Sequence, residues 1–392
     1  MKKYKLSLSR ITSSGNFIPE IDGLRFIMVI AIVAYHISGF LIAKDVSNYT
    51  SYYNFDFIFR FIQNGEMALH MFFVLSGFVI GLPFAKHHLL GAKKVNLKIY
   101  TIRRLSRAEP PYIIAMTFLL IATIFYTNNY TVDEAIKSFF ASITYTHNFI
   151  YGKEVLPLIN CVAWSFEVEI QFYILAPLLS LIFTIENKYK RRCTILILCI
   201  ISSILTHYTQ FSFISILDYL HFFLIGFLLI DLYVTVKIEK SNSTIRNIIT
   251  IVSLLLIFTF NTHDFSVLYQ KILWDISVLL LIFTLYYNVL IHKSLPILSQ
   301  KTITNIGGMC YSIYLLHFVI ISFVGNHLMR FSFSNNQLIN SCIYTLILSL
   351  TILIISTLFF LVIEQPSMNK NWPTKLKNYV RRIFDKEYLK IN

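Results

Sequence analysis

The chain has 392 residues, of which 56% are hydrophobic and only 14% charged, whereas soluble domains carry about a quarter charged residues. A wholly water-facing surface is excluded, and the apolar excess must face lipid. A formal net charge of +14 would point to nucleic acid in a soluble protein, but its distribution along this chain marks membrane topology, so nucleic acid is excluded as a partner.

The N-terminus, MKKYKLSLSR, superficially resembles a signal peptide. The first apolar run begins only near Leu24 and carries Arg25 at its start, so it reads as a retained helix. Ten stretches are predicted to span a hydrocarbon core of about 30 Å, which takes roughly 20 apolar residues. In chain order they are Leu24–Ala43, Met67–Ala85, Pro110–Tyr126, Val162–Thr184, Cys193–His207, Ile214–Val234, Ile245–Phe260, Lys271–Ile291, Ile306–Leu328 and Leu338–Ile363. The fifth and seventh are short, which predicts a re-entrant or tilted segment at one of them. No internal repeat and no linker to a second folded domain stands out. Residues 1–364 are therefore taken as one membrane-embedded domain and 365–392 as a basic cytoplasmic tail, either lying on anionic lipid or disordered.

Basic residues test the span count, because cytoplasmic loops are enriched in Lys and Arg. Of the 34 Lys and Arg, the side opposite the termini takes only Lys44, Arg60, Lys137, Lys153, Lys271 and Arg330, with Arg25 left at a helix mouth. This asymmetry places both termini in the cytoplasm. The fold class is all-α, a polytopic transmembrane bundle of about ten helices. Cys161, Cys193, Cys199, Cys310 and Cys342 are odd in number and scattered, which is neither a disulfide framework nor a metal site; they read as small buried hydrophobes.

The first span places Arg25 and His36 eleven residues apart. That spacing returns both to nearly one helix face, roughly 16 Å apart along the axis. Arg25 then sits at the cytoplasmic mouth, with Asp22 beside it, and His36 near mid-membrane, where an imidazole faces either a cavity or a partner. In the second span Ser76, Gly77 and Gly81 form a small-residue stripe that permits close helix approach. Before the third span, Arg103, Arg104 and Arg107 crowd at a helix mouth, as a phosphate site requires, because guanidinium is a strong phosphate ligand. The fourth span opens WSFEVEIQFY, with Glu167 and Glu169 entering the membrane from the outer side. The ninth carries Tyr311, Tyr314 and His317, the last at the same expected depth as His36. Glu364 follows at the cytoplasmic face, where an arginine would be its partner. Asp218, His221 and Asp275 are candidate cavity lining only. P-loop, GxSxG, HExxH and nucleotide-binding glycine signatures are missing, so ATP-driven transport and zinc hydrolysis lose support.

Taken together, IDGLR with its following histidine, FFVLSGF, RRLSR…PPY, WSFEVEIQFY, YSIYLLH and IEQP resemble the acyltransferase 3 family of integral-membrane O-acyltransferases, over nearly the whole chain. The resemblance implies a multi-pass protein of the inner (plasma) membrane. It implies no tightly bound cofactor, acyl-CoA (usually acetyl-CoA) as co-substrate from the cytoplasmic side, and a lipid-linked or surface glycan as acceptor. On the matching positions it implies His36 and Glu169 as catalytic, Arg25, Arg103, Arg104 and Arg107 as donor-binding, and Asp22, Ser76, Glu167, Tyr311, Tyr314 and His317 as cavity-lining. Glu109 and Ile170 depart from the family's pattern. Some relatives carry a further extracellular domain; with 28 residues after Glu364, it is not expected here. His36 would act as general base or as a transient acyl carrier, oriented by Glu169, Tyr311 or His317. The alternative reading is a transporter or flippase for a glycan or lipid precursor, which should show inverted repeats and broken helices.

Overall fold

Residues 8–10, 17–44, 61–126, 130–209, 211–236, 243–259, 265, 267–369 and 372 are described by a computed structural model. Arg60 and nearly all of the basic tail beyond Asn369 lie outside the described residues. Each predicted span is a helix: α1 (Pro19–Ala43), α2 (Met67–Leu90), α3 (Leu97–Tyr126), α6 (Ala163–Leu179), α7 (Lys188–Tyr208), α8 (Leu220–Thr235), α9 (Thr244–Thr259), α10 (Leu268–Leu290), α12 (Cys310–Leu328) and α13 (Gln337–Phe359). Three further helices, α4 (Val132–Ile143), α5 (His147–Tyr151) and α11 (Lys301–Gly308), lie between spans, and no strand occurs among the described residues.

Eight of the ten are long and apolar enough to cross a membrane; α8 and α9 are shorter. The expectation that the fifth span would be short is therefore corrected. Helix α7 has 21 residues because the Asn187 side chain caps it, accepting from the backbone N–H groups of Tyr189 and Lys190, and so makes the basic Lys188–Arg192 run its first turns. The seventh span, α9, is short as expected, and α8 is short as well, because a 3₁₀ turn at Ile216–Asp218, capped by Ser215, takes up the residues before it. Short length suits α8, whose residues from His221 to Asp231 are all buried inside the bundle.

Helix α8 reaches the centre because glycines let it approach α2. A Cβ on Gly77 would stand 2.3 Å from the Phe223 carbonyl oxygen, and one on Gly226 would stand 2.4 Å from that of Val74. The small-residue stripe thus serves packing at Gly77 and at Gly81, which faces Phe227 and Ile230. Around this pair a core of Phe78, Phe172, Phe223, Phe227 and Tyr286 closes over. A second core joins α3, α4, α6 and α12 through Tyr112, Met116, Phe166 and Leu315, and a third joins α1, α12 and α13 through Val29, Ile313 and Leu348. Outward-facing Ile174, Leu178, Leu346, Ile354, Leu358 and Val362 are exposed, as a lipid-facing surface requires. Cys199 and Cys310 are buried, but Cys193 and Cys342 are exposed on membrane-length helices, contrary to the expectation for all five.

Candidate active site

Helix α1 meets the segment before α12 at backbone distance. A Cβ on Gly307 would lie 1.7 Å from the Asp22 carbonyl oxygen, and one on Gly23 would lie 2.3 Å from that of Leu298. This contact buries Asp22, whose Oδ1 accepts from Arg25 Nη1 at 2.6 Å and from Arg10 Nη1 at 3.2 Å. One carboxylate therefore holds two guanidinium groups at the edge of a cavity. Arg10, Arg25, Arg104 and Arg107 all line that cavity, between apolar walls that include Phe72, Phe73, Val79 and Ile80 from α2.

Helix α3 begins thirteen residues earlier than predicted and runs through Pro110 and Pro111, so the three arginines sit on the helix itself. Arg104 and Arg107, three residues apart, point into the cavity, and Arg104 Nη2 donates to the Val79 carbonyl at 3.3 Å. Arg103 is exposed and does not line it. Of the three arginines expected to act together at the helix mouth, only Arg104 and Arg107 line the cavity.

Deeper in the cavity stands Glu169. Its Oε1 accepts from Tyr173 Oη at 2.7 Å and from Ser76 Oγ at 3.1 Å. The structure thus puts Glu169 in the arginine-lined cavity, not at an outer entrance. Glu167, two residues earlier, points away from it: Oε2 accepts from the Asn148 backbone N–H at 3.1 Å and pins the start of α5. The two carboxylates part because positions two apart on a helix face different directions. Tyr311 Oη donates to the Ala108 carbonyl at 2.9 Å, tying α12 to α3. Tyr314 Oη is paired with Ser165 Oγ at 2.9 Å and donates to the Val162 carbonyl, which fixes α12 against the start of α6. Glu364 lines the cavity from a π-helical turn at Phe360–Glu364 and accepts from Ser312 N–H and Oγ at 3.0 and 2.5 Å. Its hydrogen-bond partner is this serine, not the arginine expected from sequence.

His36 lies just past this cavity. Its ring centroid is 5.1 Å from that of His317, and the His317 ring is 6.4 Å from that of Tyr314, a cavity-lining residue. His317 Nδ1 lies 3.0 and 2.9 Å from the carbonyl oxygens of Ile313 and Tyr314. Only a protonated Nδ1 satisfies two acceptors, so Nε2 of the neutral ring carries the lone pair, and it is buried without a hydrogen-bond partner among the described residues. Of the three groups offered by sequence to orient His36, Glu169 and Tyr311 are engaged elsewhere, and His317 alone meets its ring. His36 is seven residues from the C-terminal end of α1, about 10 Å by helical rise. That is nearer this end than the mid-membrane position expected.

The sequence profile for acyltransferase 3, described as an acyltransferase domain, matches residues 18–363. The chain belongs to the acyltransferase 3 family. Over 401 aligned residues it is 27% identical to a Staphylococcus aureus (strain COL) protein named "Putative O-acetyltransferase", covering 93% of this chain and 60% of that protein. It is 25% identical to O-acetyltransferase OatA of Staphylococcus aureus (strain NCTC 8325 / PS 47), covering 80% of this chain and 52% of that protein. The chain thus spans about 60% of the length of the first of these relatives. No solved structure matches it.

Two residues of the cavity wall, Arg10 and Tyr173, were missed by sequence reasoning. Arg10 was hidden because it precedes the first span, with no helical spacing to relate it to Arg25. Tyr173 is legible in principle, since it is four residues from Glu169 on one helix. His221 and Asp275 do not line the cavity. Asp275 Oδ2 instead accepts from Ser203 Oγ at 2.7 Å and pairs with His207 Nε2 at 2.8 Å, with His221 Nε2 at 3.8 Å. Asp218 pairs with Lys153 at 2.9 Å. Glu109 Oε1 accepts from Tyr145 Oη at 2.7 Å.

Proposed function

We propose that the chain moves an acyl group, most simply acetyl, from acyl-CoA to a hydroxyl of a lipid-linked or cell-surface glycan at the inner membrane. The observation that carries this reading is the cavity in which Arg25, Arg104 and Arg107 converge at one end while Glu169 and Tyr314 lead toward the His36–His317 pair. Three guanidinium groups over apolar walls suit a donor with anionic phosphates and a largely neutral arm. Arg25 and His36 are about 16 Å apart along α1, a distance an extended arm spans.

In this reading His36 takes the proton from the acceptor hydroxyl, and the oxygen attacks the thioester carbonyl. The C–S bond breaks, and the thiolate leaves with the proton held by His36. His317, with Nδ1–H fixed on backbone carbonyls, presents Nε2 to accept an N–H from His36 and stabilises the imidazolium that forms. An acyl-His36 intermediate uses the same pair, with the acyl group on the ring nitrogen and the acceptor attacking second. Glu169, held by Ser76 and Tyr173, orients the thioester end and balances the arginines.

The test is turnover of radiolabelled acetyl-CoA by the purified chain in detergent or nanodiscs, with glycan acceptor present. Label appearing on the acceptor, with free CoA thiol released in equal amount, supports the reading. A folded protein that neither binds acetyl-CoA nor releases thiol refutes it.

A further inference from the structure

Arg10 stands apart from the other cavity arginines. It comes from the chain ahead of the first span and ahead of the matched region, residues 18–363, yet its side chain is only 11% exposed and lines the cavity. Beyond its ion pair with Asp22, Arg10 is placed by its surroundings. The Gln365 side-chain amide donates to the Ser9 carbonyl at 3.0 Å. Gly308 lies beneath Arg10, where a Cβ would already stand 3.5 Å from that of Arg10.

The charge arrangement around Arg10 is unbalanced in a particular way. Arg10 and Arg25 share the single Asp22 oxygen, and Arg25 holds it at 2.6 Å against 3.2 Å for Arg10. Arg10 is thus the more loosely held of the two. Its Nε is buried and has no hydrogen-bond partner among the described residues, while the fork has five N–H donors to place. Glu364 and Arg107 lie close enough to feel its charge. Glu364 is already occupied by Ser312. A guanidinium facing a cavity with an unused donor, beside three other guanidinium groups, calls for an anionic oxygen from outside the protein.

We propose that Arg10 is a fourth anion ligand of the donor site, binding a phosphate of the acyl donor, so that a residue ahead of the first span is part of the site. This rests on the acyl-CoA reading above. Asp22 is then a positioning residue, which keeps the Arg10 and Arg25 forks side by side and leaves Arg10 able to turn onto the phosphate. Gln365 positions Arg10 through the backbone of its neighbour.

The experiment compares wild type, Arg10→Gln, Arg10→Lys and Gln365→Ala in nanodiscs with two donors, acetyl-CoA and acetyl-N-acetylcysteamine, a thioester without phosphate. Arg10→Gln should raise KM for acetyl-CoA about tenfold, leave kcat and the acceptor KM unchanged, and leave turnover of the phosphate-free thioester at the wild-type rate. Arg10→Lys should fall between, keeping the charge but losing the fork, and Gln365→Ala should raise the same KM by a smaller factor. An unchanged acetyl-CoA KM in Arg10→Gln overturns the proposal, as does an equal loss with both donors, which would make Arg10 purely structural. If wild type itself neither binds acetyl-CoA nor turns it over, the underlying reading fails instead.

Discussion

His36 on α1 and His317 on α12 face each other with ring centroids 5.1 Å apart and planes inclined by 45°. The His317 ring is held from behind by two backbone carbonyls, and Phe318 and Tyr35 flank His36 at 5.2 and 5.0 Å. An imidazole placed against a second imidazole of fixed tautomer has somewhere to lend an N–H while its other nitrogen meets substrate. This is the arrangement a general base needs when no carboxylate is at hand.

His36→Ala should abolish transfer in a protein that still inserts and binds acetyl-CoA. His317→Ala should lower kcat by about 10²–10³-fold, within the usual range for losing acid–base assistance, with KM for acetyl-CoA within twofold of wild type. Steady-state kinetics on matched, monodisperse preparations decide it. Near wild-type kcat in His36→Ala would remove that residue from the chemistry.

The arginines separate by position, and so should their variants. Arg104→Ala and Arg107→Ala should each weaken donor binding by about 1.5–3 kcal/mol, the worth of a hydrogen bond to a charged group, which is tenfold or more in KM for acetyl-CoA. Arg103→Ala, exposed beyond the mouth, should stay within about twofold. Equal losses at all three positions would mean that net charge at the membrane surface matters and the cavity does not.

What the sequence made legible, and what it did not, divides along physical lines. Spans follow from hydropathy, and the shared face of Arg25 and His36 follows from the helical period, because both are local properties of one helix. The Glu169 environment depends on how α6 rotates against α2 and α3, which no spacing within α6 encodes; WSFEVEIQFY shows two carboxylates but not that only Glu169 turns to Ser76. Arg103, Arg104 and Arg107 were legible as a cluster, while their sorting required the depth of the cavity mouth. The lengths of α7 and α8 were decided by caps at Asn187 and Ser215, polar residues that a hydropathy window counts only as interruptions.

His147, in the segment between the third and fourth spans, gives a pH dependence. It is 1% exposed, stacked on Tyr151 at 4.6 Å, and both ring nitrogens lack hydrogen-bond partners among the described residues. Burial pushes its imidazole down from 6.5 to about 4. The unfolded chain therefore binds a proton that the folded one refuses as pH falls from about 6.5 toward 4, so its share of stability is intact above that window and lost through it. The melting temperature of wild type should drop across this range more than that of His147→Phe, which keeps a stacked ring without a charge to bury. Parallel pH profiles would show that His147 is solvated when folded.

The α2–α8 crossing should tolerate no side chain at Gly77. Gly77→Leu places carbon atoms where the Phe223 carbonyl stands, and overpacking of this kind costs about 1–3 kcal/mol, more when backbone must move. Lower yield and a lower melting temperature are expected, whereas Gly39→Leu, with nothing within 4 Å of its Cβ position, should melt like wild type. Equal melting temperatures for the two variants would mean that the helices can part without cost.

The two substrates should reach His36 from opposite ends of the bundle. The arginine cavity is lined by Arg25, Arg104 and Arg107, at the end of the bundle for which the distribution of basic residues predicts a cytoplasmic location. His36 lies beyond it, in the half of α1 near Ala43, beside the end of α2 at which Gly65 packs against Ala31 and Tyr35. In the proposed reading a donor arm entering between the arginines ends near the histidine pair, which lies about 10 Å by helical rise from the far end of α1. Because Glu169 belongs to the arginine cavity, the outer approach must be built instead from the surroundings of His36, Tyr35 and Phe318. Sealed vesicles of known orientation can decide, with labelled acetyl-CoA on one side and glycan acceptor on the other. Label should appear on the acceptor only when the donor is on the side of the termini and the acceptor opposite. Transfer with both substrates confined to the side of the termini would place the whole reaction in one cytoplasmic pocket. Catalysis by His36 would survive that result, but the approach across the membrane would not.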